Sequence, residues 1–116
     1  MIRRLFGVSL NNKKPLKLGL TDIYGIGRTL ALKICNDLDL NSNLLIDNLS
    51  SVDLDRIKIY IEQHIKIENE LKREERRHIS RLKNIRCYRG IRHSIRLPLR
   101  GQRTRTNAKT QRKFKR

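Results

Sequence analysis

The chain has 116 residues and a formal net charge of +17, from 28 Lys and Arg against 11 Asp and Glu. This length suits one small domain and excludes an enzyme domain joined to a separate binding domain. Glu75 is the last acidic residue, so residues 76–116 carry 16 Lys and Arg, whereas residues 1–75 carry 12 against all 11 acids. We therefore expect the first part to fold and the second to bind a polyanion.

The composition argues against several other kinds of site. Cys35 and Cys87 are far apart, and neither they nor the scattered histidines show a metal-ligand spacing, so we predict no metal, cofactor or disulfide. Cys35 is interpreted as a small core residue and Cys87 as a packing residue. A membrane-surface binder would place large apolar residues opposite its basic face, but Trp is absent and Phe occurs twice. We predict no membrane partner.

The first elements are predicted from short-range patterns. Residues 4–10 are mostly apolar and indicate an extended or strand-like arm. One or two helical turns fit residues 16–20. A Gly-x-Gly turn at Gly25 and Gly27 then leads into residues 29–38, whose apolar spacing predicts a helix.

The Gly-x-Gly turn has two interpretations. Glycines let a backbone approach a phosphate closely, the N–H groups at a helix start carry partial positive charge, and Arg28 could add a charged contact. Alternatively, Gly25 and Gly27 only form a tight corner between two helices. The spacing alone does not choose between them.

Two longer helices follow. Ser50 or Ser51 is a candidate N-cap for a core helix over about 51–64, because acidic residues and then a 3.6-residue apolar stripe come directly after it. A second helix is predicted over about 68–84. His78 on this helix is interpreted as a packed or surface residue.

Residues 86–110 form the most basic stretch and contain no acid. Their arginines recur every three or four residues, and guanidinium groups match phosphate oxygens and can stack on bases. Because Gly90, Pro98 and Gly101 interrupt the pattern, we expect no regular element here. The interleaved Tyr, Gln, Thr and Asn favour nucleic acid as the partner.

Three motifs resemble one known family. They are IYGIG at residues 23–27, CYRGIRH at 87–93 and LPLRGQRTRTNAKT at 97–110. With them the chain resembles universal small-subunit ribosomal protein 13, of the bacterial and organellar kind, over almost its entire length. It departs from that pattern at Arg96, because the family commonly has glycine before Leu-Pro.

The resemblance implies a mainly α fold and a non-catalytic role. The expected parts are a helix-two-turn-helix amino-terminal domain (1–67), a long connecting helix (68–85) and an extended basic tail (86–116). The implied partners are small-subunit ribosomal RNA, peptidyl-site transfer RNA, small-subunit protein 19, and large-subunit protein 5 with large-subunit ribosomal RNA at intersubunit bridges. The implied place is the head of the small subunit.

The candidate binding residues come from three sources. By motif position, the resemblance implies that ribosomal RNA is contacted by Arg86, Tyr88, Arg89, Arg92, His93, Arg100, Gly101, Gln102, Arg103, Thr104, Thr106 and Asn107. The charge pattern adds Arg96, Arg105 and Lys109, and the phosphate interpretation of the turn adds Gly25, Gly27 and Arg28. Lys113, Lys115 and Arg116 are expected to reach transfer RNA.

Composition also bears on the source. The sequence has 14 Ile and 9 Asn against 2 Ala, which suggests an AU-rich codon supply. We hypothesise a protein encoded in a mitochondrion and acting in the ribosome of the matrix. The bacterial cytoplasm is the alternative. In the register of the family, Arg3 to Leu10 resemble the start of the mature protein, which leaves little room for an import sequence.

Two other functions compete with the ribosomal one. The first is an architectural DNA-binding protein with a histone-like tail, which residue types alone do not separate from an RNA binder. The second is a repair enzyme built on a helix-two-turn-helix module. Against that enzyme stand the acid-free basic half, the lack of a zinc cluster and the short chain.

Overall fold

A computed structural model describes residues 2–113. The fold is mainly helical, as predicted, with six α-helices and one two-stranded sheet among these residues. It comprises two compact units, Met1–Leu71 (the amino-terminal unit) and Lys72–Arg116 (the basic unit). The three-part division at residues 67 and 85 stays a prediction.

The amino-terminal arm is a β-hairpin. Strands β1 (Arg3–Leu5) and β2 (Val8–Leu10) pair antiparallel, and Arg3 lies opposite Leu10. Phe6 and Gly7 between them both have positive φ, 52° and 79°, as a tight two-residue turn requires. The sequence predicted an extended arm, and the turn folds that arm back on itself.

Short helical turns connect the hairpin to the first longer helix. Helix α1 (Leu16–Gly19) continues into a 3-10 turn at Leu20–Asp22, and α2 (Arg28–Asp37) follows the Gly-x-Gly turn. Ala31, Ile34 and Cys35 of α2 are buried. Cys35 is fully buried, as predicted, and this burial raises the pKa of its thiol above its ordinary value of 9.0.

Helix α3 (Ser51–His64) begins where its cap was expected. The Ser50 hydroxyl accepts a hydrogen bond from the Asp53 N–H at 3.1 Å, so Ser50 is the N-cap. Ile57 and Ile61 are fully buried, because they lie one turn apart on the side that faces the core. Ile57 and Ile61 are the residues that this helix contributes to the buried core of the amino-terminal unit.

One core holds the amino-terminal unit together. Both strands, α1, α2, α3 and the 3-10 turn at Ile46–Asn48 contribute to it. Its buried members are Leu5, Leu10, Leu16, Leu20, Ile23, Ile26, Ala31, Ile34, Cys35, Ile46, Leu49, Ile57 and Ile61.

The start of α4 (Glu68–Ile85) is fixed by the Gly-x-Gly turn. The Tyr24 N–H donates to the Glu68 carboxylate at 2.8 Å, and the Glu68 N–H donates to the Tyr24 carbonyl at 2.9 Å. This reciprocal pair locks residue 24 to the first turn of the helix.

The basic unit contains two further helices, α5 (Tyr88–Ser94) and α6 (Lys109–Lys113). Turns and irregular backbone connect them, with buried residues at Pro98 and Ala108. No helix within residues 2–113 is long and apolar enough to cross a membrane. The same residues include no group of three or more His, Cys, Asp or Glu that could hold a metal ion.

Candidate nucleic-acid interface

Helix α5 corrects the expectation that residues 86–110 contain no regular element. Gly90 was expected to interrupt the chain, but it lies inside α5 and is buried. A Cβ atom at this position would meet the Leu82 carbonyl oxygen at 2.1 Å and the Leu82 carbonyl carbon at 2.5 Å. The absence of a side chain therefore lets α5 pack directly on the backbone of α4.

Cys87 supports the same junction. Its thiol lies 3.5 Å from the Leu82 carbonyl, to which it donates, and its sulfur accepts from the Gly90 N–H at 3.4 Å. The sulfur thus takes the N-cap position that an oxygen usually fills. Cys87 was predicted to be a packing residue, and it also forms hydrogen bonds at this junction.

Arg92 connects α5 to the segment that follows it. Its Nε donates to the Pro98 carbonyl at 3.0 Å, and its guanidinium carbon lies 5.6 Å from the centre of the Tyr88 ring. That distance is within the range of a cation–π interaction. Tyr88 and Arg92, two of the predicted RNA-contacting residues, are therefore brought together beside the Leu-Pro segment.

The backbone reverses direction after α5. Arg96 has φ of +57°, in the left-handed region that favours glycine, and the Leu97 N–H donates to the Arg92 carbonyl at 3.0 Å. This geometry explains why glycine suits a position where this chain has arginine. Arg96 adopts this left-handed backbone conformation and adds a positive charge at the surface.

The remaining candidates lie along residues 86–109. His93 and Thr104 are half-buried, and Thr104 begins a turn that runs to Thr106. Gly101 has φ of +66° and open space where a side chain would lie. The exposed candidates of this segment are Arg86, Arg89, Arg96, Arg100, Gly101, Gln102, Arg103, Arg105, Thr106, Asn107 and Lys109.

The electrostatics of this segment follow from the sequence. Residues 76–116 contain no acidic side chain, so no carboxylate side chain of that stretch can neutralise its arginines. A high density of like charge in a small unit attracts polyanions over a long range. The arrangement suits a partner that supplies many phosphates.

Gly25 and Gly27 have different roles in the amino-terminal unit. Gly25 has φ of +105°, and a Cβ there would lie 2.9 Å from Leu71 Cδ2 and 3.2 Å from the Lys66 carbonyl oxygen. Packing and backbone geometry therefore explain Gly25. A Cβ on Gly27 would meet nothing within 4 Å, so the start of α2 beside it is open.

A small groove lies beside that open helix start. It has a volume of about 270 Å³ and is lined by Lys17, Leu18, Arg28 and Leu32. Two cations therefore border an apolar floor. Arg28 was a sequence candidate, whereas Lys17 was missed because it is distant in sequence and carries no motif.

A second groove follows one side of α4. It has a volume of about 490 Å³ and is lined by Arg77, Ser80, Arg81, Asn84 and Ile85. Its members recur at three- and four-residue spacing, which places them on one helix face. This spacing could have identified Ser80 and Asn84 in the sequence.

The transfer RNA candidates lie at the end of the chain. Lys113 is the last residue of α6 and is exposed. Lys115 and Arg116 lie outside the described residues.

A near-neutral helical unit followed by an arginine-rich unit defines a basic, mainly helical protein suited to a polyanionic partner. The sequence profile of the family described as "Ribosomal protein S13/S18" matches residues 4–110. The chain belongs to this family.

Three of its relatives illustrate the similarity. The "Small ribosomal subunit protein uS13" of Borreliella burgdorferi is 47% identical over 107 residues, which cover 92% of this chain and 86% of the relative. The "Small ribosomal subunit protein uS13m" of Marchantia polymorpha is 45% identical over 111 residues, which cover 96% and 92%. The uS13 protein of Thermotoga maritima is 44% identical over 107 residues, with coverage of 92% and 86%.

This membership establishes the general role. The chain is a structural constituent of the small ribosomal subunit and is not an enzyme. The repair-enzyme alternative is therefore wrong.

Proposed function

We propose that residues 86–109 bind small-subunit ribosomal RNA in the head of the subunit, mainly by neutralising phosphates. The observation that carries this proposal is the row of exposed arginines, among them Arg89, Arg100 and Arg103, in a stretch without acids. Each phosphate that is neutralised releases counterions, so this mode of binding weakens steeply as salt rises. The Tyr, Gln, Thr and Asn side chains add contacts to sugars and base edges.

We assign a second RNA contact to the open start of α2. Lys17 and Arg28 border the groove there, and Gly27 leaves space for a phosphate to approach the backbone. The amino-terminal unit carries nearly balanced charge, so this contact is local. It fixes the position of the protein while the basic unit supplies most of the electrostatic attraction.

We further propose the partners that the family resemblance implies. These are small-subunit protein 19, large-subunit protein 5 and large-subunit ribosomal RNA at intersubunit bridges, and peptidyl-site transfer RNA near Lys113, Lys115 and Arg116. Exposed apolar residues on the near-neutral unit, such as Leu45 and Val52, support protein partners there. The basic chain end supports the contact with transfer RNA.

The proposed location is the ribosome of the mitochondrial matrix, with the bacterial cytoplasm as the alternative. The abundance of Ile and Asn supports an organelle gene, and the Marchantia polymorpha relative carries the mitochondrial form of the name. The other relatives described above are bacterial.

Sedimentation of the tagged protein through a sucrose gradient tests the RNA-dependent association. We expect comigration with small subunits and whole ribosomes, and loss of that comigration after ribonuclease treatment. Migration as a free protein, while ribosomes stay intact, would contradict the proposal. Competition between ribosomal RNA and duplex DNA at matched salt distinguishes the proposed RNA-binding function from the architectural DNA-binding one.

The phosphate contacts are tested by salt dependence. Arg100→Ala combined with Arg103→Ala should weaken RNA binding and lower the slope of log affinity against log salt by roughly one for each lost contact. Lys33→Ala combined with Lys58→Ala removes the same charge from exposed positions of the amino-terminal unit and is the matched control. Equal slopes in the two variants would count against contacts at residues 100 and 103.

The end of the chain has a separate test. Removal of residues 113–116 should leave subunit assembly intact and weaken transfer RNA binding at the peptidyl site. Loss of assembly on this removal would refute the proposed division of roles.

A further inference from the structure

An apolar row lies on the outside of the basic unit. Tyr88, Ile91 and Ile95 recur at intervals of three and four residues, so they lie on one side of α5 and its C-cap. They are 63%, 49% and 54% exposed. Apolar residues grouped on one exposed side of a helix mark a binding surface more often than isolated ones do.

The ring of Tyr88 is held in place from one side. The Arg92 guanidinium lies 5.6 Å from the ring centre, and its Nε is anchored on the Pro98 carbonyl at 3.0 Å. Tyr88 remains 63% exposed, so a ligand can reach this residue from the solvent. An aromatic ring with a cation beside it is a good platform for a nucleobase.

Charge decides which partner fits this row. The surrounding stretch carries arginines and no acids, so the partner must bring negative charge together with flat apolar surface. Nucleic acid has both, but a regular double helix hides the faces of its bases. Unpaired nucleotides expose them.

We infer that Tyr88 stacks on an unpaired base of ribosomal RNA, with Ile91 and Ile95 covering the neighbouring nucleotides. This inference rests on the proposed RNA-binding function and specifies the kind of RNA structure that the site selects. In this arrangement, Arg92 positions the ring and its positive charge favours the nearby phosphate. The exposed arginines of the segment contact the backbone on either side.

The test compares two RNA duplexes of equal length and phosphate number. One contains an internal loop of unpaired purines with a fluorescent adenine analogue, and the other is fully paired. The proteins are the full-length chain, Tyr88→Ala, Tyr88→Phe, and Ile59→Ala as a control at a similarly exposed position on α3 (53%). Affinity for each duplex and emission of the analogue are measured at one salt concentration.

Stacking predicts a specific pattern. The unchanged chain, Tyr88→Phe and Ile59→Ala should prefer the looped duplex by roughly 5-fold to 100-fold, and should change the emission of the analogue. Tyr88→Ala should lose this preference and keep its affinity for the paired duplex. The exposed position of Tyr88 means that the alanine variant keeps α5 folded, which circular dichroism verifies.

Three results would overturn the inference. The first is equal affinity of the unchanged chain for both duplexes. The second is a Tyr88→Ala variant that loses affinity equally for both duplexes. The third is a Tyr88→Phe variant that binds like Tyr88→Ala, because this result would assign the binding to the tyrosine hydroxyl.

These failures are distinguishable from failure of the proposed function. Salt-sensitive binding of both duplexes without any preference would leave phosphate recognition intact and remove only the stacking. No binding of either duplex at low salt would remove the RNA-binding proposal itself.

Discussion

Replacing Gly90 with alanine should detach α5 from α4. The new Cβ would lie 2.1 Å from the Leu82 carbonyl oxygen, 2.5 Å from the Leu82 carbonyl carbon and 2.8 Å from the Lys83 nitrogen. All three atoms belong to the backbone of a helix, so no flexible side chain can move aside. The helices must separate, or α5 must unwind.

Two opposing effects set the size of this change. Overpacking costs about 1 to 3 kcal/mol, and the upper end applies here because backbone atoms oppose the new methyl group. Alanine is favoured over glycine inside a helix by about 1 kcal/mol, which acts in the other direction. The net loss is about 2 kcal/mol, which corresponds to roughly a 30-fold increase in the population of the open form.

Amide hydrogen exchange measures this opening directly. The Ile91 N–H donates to the Cys87 carbonyl at 3.0 Å, and the Ile95 N–H donates to the Ile91 carbonyl at 3.1 Å. Both amides should exchange roughly 30-fold faster in Gly90→Ala. Gly27→Ala is the control, because a Cβ there meets nothing within 4 Å. Slower exchange in Gly90→Ala would mean that helix propensity dominates and that the close contact does not exist.

Three further predictions concern single residues. Arg96→Gly should stabilise the turn after α5 by up to about 1 kcal/mol, since the left-handed backbone is costly for arginine, and slower exchange of the Leu97 amide would show it. Ser50→Ala should lower the free energy of unfolding by about 1 kcal/mol, and an unchanged urea midpoint would contradict the cap. The hydrogen bond to Asp37 raises the pKa of Tyr60 above its ordinary value of 10.0, so the folded chain holds this proton more tightly than the unfolded one. The resulting stability is fully present below pH 10.0 and is lost as the pH rises through the folded pKa. In unfolding measured over the same alkaline pH series, Tyr60→Phe should therefore lose less stability than the unchanged chain does.

Local patterns were sufficient to predict the amino-terminal helices. For α3, the cap at Ser50 and the buried positions Ile57 and Ile61 can be read from neighbouring residues, because capping and helical spacing act over a few positions. The hairpin was harder to predict from the sequence. Its turn needs positive φ at Phe6 as well as Gly7, and phenylalanine gives no signal of that conformation.

The candidate interface depends more on contacts between elements. Gly90 and Cys87 both contact the backbone of Leu82. From the sequence alone, a glycine inside a basic stretch predicts a break in a helix. Cysteine is also not among the residues that usually predict the N-cap of a helix. The spacing of the arginines and the family motifs predicted the candidate segment, but they could not predict the junction that holds α5 on α4.

The kind of hydrogen bonds in the junction between α4 and α5 affects how the basic unit would bind a polyanion. Its hydrogen bonds join the Leu82 and Pro98 carbonyls to the Cys87 thiol and to Arg92 Nε, and they involve no carboxylate. Dissolved salt therefore weakens attraction to phosphates far more than it weakens these contacts. A segment whose shape is already set loses less conformational entropy when it binds. Under the proposed function, raising the salt concentration should therefore release RNA from the exposed arginines without disturbing the arrangement of Tyr88 and Arg92.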